Sequence, residues 1–194
     1  DREDFLELVA ERYFSIVSKA IKAHDPNHLY LGCRFHGRAK NCESLFRAAG
    51  RHVDVISVNL YSAWTPSTAQ LGNWEKWSGK PFIITEFYSK GADTGLPNDS
   101  GAGWLVKTQK DRGLFYQNFC IGLLESKNCV GWHYFRYQDN DMEDKSHPSS
   151  TVSNKGILTA YFEEHAQYLP MIKQLNVNVY PLIDWLDKGG KVHP

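Results

Sequence analysis

Four short clusters of polar and aromatic residues recur along the chain. They are Arg34 with His36, Asn59 with Tyr61, Glu86 with Tyr88, and His133, Phe135, Arg136, Gln138 and Asp139. Each closes a run rich in Leu, Val or Ile. Carboxylates, phenols, imidazoles and guanidinium groups can serve as nucleophiles, general acids or bases, and hydrogen-bond donors. Glu86 poses the sharpest question, because it ends KPFIIT, the greasiest strand candidate, which reads as buried on both faces. An ionised carboxylate beside a buried strand needs a partner, and Arg34, Tyr61 and Arg136 are the natural ones. Held by such donors, it stays ionised at neutral pH, as a nucleophile should. Every residue also has an ordinary reading: Arg34 pairing with a surface acid, His133 as a satisfied core histidine, Tyr61 as packing, Glu86 as a loop start or cap. Recurrence at four successive strand ends favours a lined cleft.

These residues need elements to hold them. Apolar spacing predicts a helix over Glu3 to His24, ended by Asp25-Pro26-Asn27. Strands are predicted over His28 to Phe35, Val53 to Tyr61, Pro81 to Phe87 and Cys129 to Tyr137. Helices are predicted over Cys42 to Gly50, Thr68 to Trp77 and Lys107 to Lys127. A polar loop from Gln138 to Lys155 leads to a helical tail, Tyr161 to Leu186, interrupted at Pro170 and Pro181. Short apolar strands alternating with helices argue for parallel strands and βαβ crossovers. Two architectures fit: a doubly wound open sheet and part of a (β/α)₈ barrel. The loop after the first strand, HGRAKN, has neither GxGxxG nor GxxxxGK[ST], which weakens the nucleotide-binding open sheet. In barrels the chemistry sits at the C-terminal strand ends, where all four clusters fall.

Composition narrows the classes. The 194 residues, 42% hydrophobic, suffice for one core but not two ordinary domains. Lys plus Arg equals Asp plus Glu at 22 each, with no basic stripe for nucleic acid. Apolar runs are strand-sized, so no membrane span is expected. Cys33, Cys42, Cys120 and Cys129 show no zinc spacing and read as free buried thiols. Asp139, Asp141, Glu143 and Asp144 cluster, but DNDMEDK lacks the glycine and final glutamate of an EF-hand loop, and HExxH is absent; no metal or other cofactor is expected. No signal peptide is visible at Asp1, and DREDFLELVAERYF reads as the inside of something longer.

The strand-ending TEF, the NLY before it and GWHYFRYQDND after it resemble clan A glycoside hydrolases. That resemblance implies a (β/α)₈ barrel, retention of anomeric configuration, Glu86 as nucleophile and Tyr61 as its hydrogen-bond partner. It places Phe135 at an aromatic floor position where many members have Trp, with Trp132 and Tyr134 as alternatives. A closer likeness is to β-agarase-type members, carried by YFSIVSKAIKAHDPNHLYLGCRF and by HYFRYQD followed by SNKGI, and extending from about Glu11 to Trp185. It implies that the chain is one partial domain, the C-terminal half of the barrel with about strands five to eight. The acid/base glutamate, expected in an Asn-Glu pair, lies outside it, since no Asn-Glu dipeptide occurs here and a full barrel needs about 250 residues.

The expected substrate is a polysaccharide or oligosaccharide, a galactan being favoured. Expected hydroxyl-binding residues are Arg34, His36, Asn59, Tyr88, Trp132, His133, Arg136 and Asn154, and the loop from Tyr88 to Trp104 is a candidate cleft wall. The open strand edges point to two partners: the missing half, or a second copy in a homodimer. The resemblance implies a secreted or periplasmic protein. Two other readings stand beside it, a non-catalytic carbohydrate-binding barrel and a doubly wound nucleotide or sugar-phosphate binder.

Overall fold

The computed structural model describes residues 1–61, 63–99, 101–141, 143 and 152–192. The chain forms two compact units. The first comprises Asp1–Leu60, Ser67–Thr85 and Ser126–Trp132; the second comprises Tyr61–Pro66, Glu86–Glu125 and His133–Pro194.

The first unit is α/β. It contains helix α1 (Arg2–His24), strand β1 (Arg34–Phe35), a 3₁₀ turn (Gly37–Asn41), α2 (Glu43–Gly50), β2 (Ile56–Asn59), α3 (Thr68–Ser78), all but the last residue of β3 (Phe82–Glu86), and β6 (Cys129–Trp132). The sheet order is β1-β2-β3-β6, so strands adjacent in the chain order of this sheet are neighbours in space. β1 runs parallel to β2, with Arg34 opposite Ser57, and β3 runs parallel to β6, with Ile84 opposite Trp132.

Local chemistry explains the boundaries. Glu3 and Asp4 in the first turn of α1, and Lys22 and His24 in its last, complement the helix dipole. Ser67 caps α3 by accepting from Gln70 N, and Gly79 at φ 65° ends it in the left-handed conformation that a side chain disfavours. A chain of rings fills the core: Phe14 to Phe35 (6.3 Å between centroids), Phe35 to Phe46 (4.8 Å), Phe46 to Trp74 (6.1 Å) and Trp74 to Phe82 (5.3 Å). The Trp74 indole N–H, buried among them, donates to the Lys40 carbonyl at 2.7 Å. Glu7 and Glu11 on α1 grip Arg47 and Arg51 at 2.6–2.9 Å, and these donors hold Glu7 below the usual carboxylate range.

The second unit contains β4 (Ser89–Gly91), a 3₁₀ turn (Ala92–Thr94), β5 (Trp104–Val106), α4 (Gln109–Glu125), α5 (Leu169–Val177) and α6 (Val179–Asp187). Its core stacks Phe87 on Phe119 at 4.3 Å, flanked by Phe115, Tyr116 and Tyr134. Arg112 is fully buried there. It donates to the Ser89 carbonyl (3.0 Å), Gln109 Oε1 (2.7 Å), Tyr134 Oη (3.1 Å) and the Gly156 carbonyl (2.7 Å), and its guanidinium lies 4.1 Å from the Tyr168 ring centre. Burial works against the charge, but the phenols of Tyr134 and Tyr168 favour it and the net shift is upward.

Several boundaries differ from the sequence expectation. The first strand keeps only its last two residues because Gly32 adopts φ 65°, which breaks an extended run. The fourth strand ends at Trp132. Beyond it the backbone N–H groups of Phe135 and Arg136 bond to the Phe87 and Lys155 carbonyls in the second unit. Ile83 is half-buried, so β3 is less enclosed than its composition implies. The tail is helical only from Leu169, and its break falls at Asn178. Pro170 and Pro181 sit in the first turns of α5 and α6, where a missing N–H costs nothing. On α1 only Ala10 and Phe14 are buried, whereas Phe5 and Leu8 are 67% and 65% exposed. The four cysteines are free thiols, but Cys120 alone is fully enclosed. Among the described residues no helix is long and apolar enough to cross a membrane.

Removing Arg112 orphans several buried acceptors at once. Arg112→Ala is expected to destabilise the fold by about 3–5 kcal/mol. Arg112→Lys, which cannot reach four directions from one plane, should recover less than half of that loss in urea unfolding. Equal stability of Arg112→Lys and the parent would refute the assignment.

Candidate functional site

β3 delivers Glu86 at its very end, and the next residue is Phe87, whose ring is locked into the second unit's core. Alternation then sends neighbouring side chains to opposite sides. Tyr61, just beyond the end of β2, donates its hydroxyl to Glu86 Oε2 at 2.8 Å. A phenol in that position fixes the carboxylate's orientation.

The contact extends into a line of rings. Tyr61 meets Tyr88 edge-on, 5.4 Å between centroids, and Tyr88 meets Phe135 at 5.8 Å. Tyr88 is buried, which raises its phenol above the ordinary value, while the backbone N–H groups of Gly103 and Ala102 pull the other way by donating to its oxygen. Lys155 Nζ lies 5.7 Å from the centre of the Tyr88 ring. Its ammonium is held below the usual lysine value by burial first, then by Lys90 and Arg136. Lys90 is itself buried and lowered for the same first reason; it donates to the Asn98 carbonyl at 3.0 Å.

The second unit therefore brings together Tyr61, Glu86, Tyr88 and Phe135. His133 and Arg136 lie on the loop that carries Phe135, with exposed side chains. The remaining candidates belong to the first unit. Arg34 on β1 and His36, which precedes the 3₁₀ turn, are exposed. Asn59 ends β2 and accepts from the Thr85 hydroxyl at 2.7 Å. Trp132 ends β6.

Three expectations change. Asn154 is fully buried and its amide is spent on the loop after Glu86: Nδ2 donates to the Gly91 carbonyl and Thr94 Oγ1, both at 2.6 Å, and Oδ1 accepts from Gly91 N at 2.8 Å. It is a clamp and not a sugar contact. Tyr88 is a buried bridge between rings, and its hydroxyl oxygen accepts from the Gly103 and Ala102 N–H groups. Tyr134, one of the two alternative floors, bonds Ser89 and Arg112 inside the core. Asp139 likewise is structural, accepting from Gly156 N at 2.6 Å and bonding His165 Nε2 at 2.9 Å. Asp144, the fourth member of the acidic cluster, lies outside the described residues.

The stretch from Tyr88 to Trp104 is organised, since β4 and β5 within it pair in parallel with Ser89 opposite Trp104. Sequence reasoning missed Arg112 and Lys155. Arg112 sits in QKDRGLF, where a charge amid helix-former spacing reads as solvated; a buried partner set three segments away leaves no local signal.

Against this geometry, the comparisons with known proteins agree on one relationship. No family model matches the chain. Beta-agarase B of Vibrio sp. (strain JT0107) is 31% identical over 184 residues, which cover 94% of this chain and 18% of that protein. The crystal structure of BpGH50 matches with a TM-score of 0.87 and 42% identity, over 95% of this chain and 39% of that one. An exo-beta-agarase structure matches with a TM-score of 0.83 and 26% identity, over 93% and 24%. The chain is thus similar to β-agarases and GH50 structures over nearly all its length, and it spans less than a fifth of the curated relative.

If Asn154 clamps the loop, Asn154→Ala should lower stability by about 2 kcal/mol, the cost of orphaned buried groups. Differential scanning calorimetry would measure it. An unchanged melting temperature with a raised KM for sugar would restore the binding role.

Proposed function

We propose that the chain belongs to a GH50-type β-agarase and forms the C-terminal half, about strands five to eight, of its (β/α)₈ barrel. On this reading it serves retaining hydrolysis of β-glycosidic bonds in a galactan. The observation that carries it is the 2.8 Å bond from the Tyr61 hydroxyl to the Glu86 carboxylate, at the end of a strand and in line with Tyr88 and Phe135. The similarity to β-agarases supports the substrate class.

Glu86 attacks the anomeric carbon. The bond to the leaving oxygen breaks as a second carboxylic acid, outside these residues, protonates that oxygen. The resulting glycosyl ester is then cleaved by water, from which the same second group takes the proton. The two carboxyls of a retaining pair stand about 5–5.5 Å apart. Tyr61 keeps Glu86 aimed. Phe135 floors the attacked sugar. His133 and Arg136 provide its hydroxyl contacts.

In the intact protein, Glu86→Gln should lower kcat by about 10³-fold or more while substrate still binds. Tyr61→Phe should cost about 10- to 100-fold, chiefly in kcat. Near-parental turnover by Glu86→Gln, measured as reducing ends released from agarose, ends the assignment.

The 194 residues alone should behave as an incomplete fold. Phe5, Leu8, Val9 and Ile16 leave the side of α1 apolar and exposed, and Val130 on the edge strand β6 is 60% exposed. The remaining half of the barrel is the proposed occupant, with a second copy taking its place when that half is absent. The expressed fragment should dimerise or aggregate and show no agarase activity; an active monomer by light scattering and reducing-sugar assay would contradict this.

A further inference from the structure

We propose that Trp64 and Trp104 form a rigid aromatic landing for a galactan chain beyond the cleaved bond, and that this landing sets a preference for long over short substrates. The inference rests on the reading of Glu86 given above.

Both indoles belong to the second unit, and each is about two-fifths exposed. They meet edge-on, 6.3 Å between centroids and 76° between planes. A single exposed tryptophan needs no explanation. Two in contact, one backed by a buried ring and the other on a paired strand, are a different case. The Phe115 ring backs Trp64 at 5.2 Å. Asn118 Nδ2 donates to the Trp64 carbonyl at 3.0 Å and to Thr65 Oγ1 at 2.9 Å. Pro66, next along, packs so tightly on Gly122 that a Cβ there would meet its ring at 3.0 Å. Trp104 is held in the β4–β5 ladder opposite Ser89. Trp64 is thus held before any ligand arrives, which removes an ordering cost from binding.

The same segments carry the candidate site. Trp64 follows Tyr61 by three residues, a reach of at most about 11 Å along the chain. Trp104 follows Gly103, whose N–H donates to the Tyr88 hydroxyl, and Tyr88 touches Tyr61. Gly103 lies against the Tyr88 ring with no room for a Cβ. The landing and the carboxylate are therefore built on shared backbone. An indole offers a broad apolar face and one N–H donor. A galactose ring offers the complement, a C–H face bordered by hydroxyls. A polymer engaged at Glu86 would pass such a landing, whereas a short oligosaccharide would end before it.

The test uses the intact protein and its Trp64→Ala, Trp104→Ala and Trp104→Tyr variants, assayed on agarose and on an agar-derived tetrasaccharide. The ratio of kcat/KM on polymer to that on tetrasaccharide should fall about tenfold in each alanine variant and recover in Trp104→Tyr. In a Glu86→Gln background, retardation during electrophoresis through agarose should be lost on removing both tryptophans. An unchanged ratio, or equal loss on both substrates, overturns the landing while leaving Glu86 in place. A parent protein inactive on both substrates overturns the reading of Glu86 and the landing with it.

Discussion

A guanidinium buried in a hydrophobic core must find an acceptor in each direction it points, and Arg112 finds them in four places. Its donors reach α4 itself, the backbone just beyond Glu86, the Tyr134 hydroxyl and the Gly156 carbonyl. These acceptors lie far apart in sequence and would otherwise need water. Because desolvation makes each missing bond expensive, the segments following β3 and β6 have essentially one arrangement that satisfies the cation. The rest of the second unit is organised around that requirement.

The consequence for chemistry is geometric. Ser89, three residues after Glu86, is pinned by Arg112 through its carbonyl and by Tyr134 through its N–H. Phe87, between them, is stacked into the core. A carboxylate on such a short tether has little freedom, and the Tyr61 phenol helps to fix its direction. Rigid support placed in the core, with the reactive group at its margin, is how a site keeps its geometry without strain in the reactive residue itself.

The buried amines add a second constraint. Lys90 and Lys155 are both depressed by burial, and each raises the local cost of further positive charge. Asn98 answers this with its carbonyl toward Lys90, while its side chain bonds Gly91 and Asn154. Asn154 returns the contact to Gly91. The loop behind Glu86 is therefore closed by interlocking amides, which explains why a stretch rich in Gly, Asp and Ser adopts β4, a turn and β5.

Much of this was legible in the residues themselves. Period and punctuation located α1 to α4 within a residue or two, and the carboxylate at the close of an apolar run marked Glu86, because a charge beside a buried strand is conspicuous in one dimension. Residue types that satisfy a carboxylate offered Arg34, Tyr61 and Arg136 as partners for Glu86, and the family resemblance singled out Tyr61. What the chain alone could not give were facts about partners distant in sequence. Gly32 breaks a strand through its backbone angle, which composition does not encode. Asn154 reads as a sugar ligand until its amide is seen spent on Gly91 and Thr94. Arg112 reads as a solvated charge until three remote acceptors, with Gln109 on its own helix, surround it. Hydrophobic spacing is a local property and survives in the sequence; hydrogen-bond satisfaction in a core depends on which segments meet, and only the tertiary structure decides that.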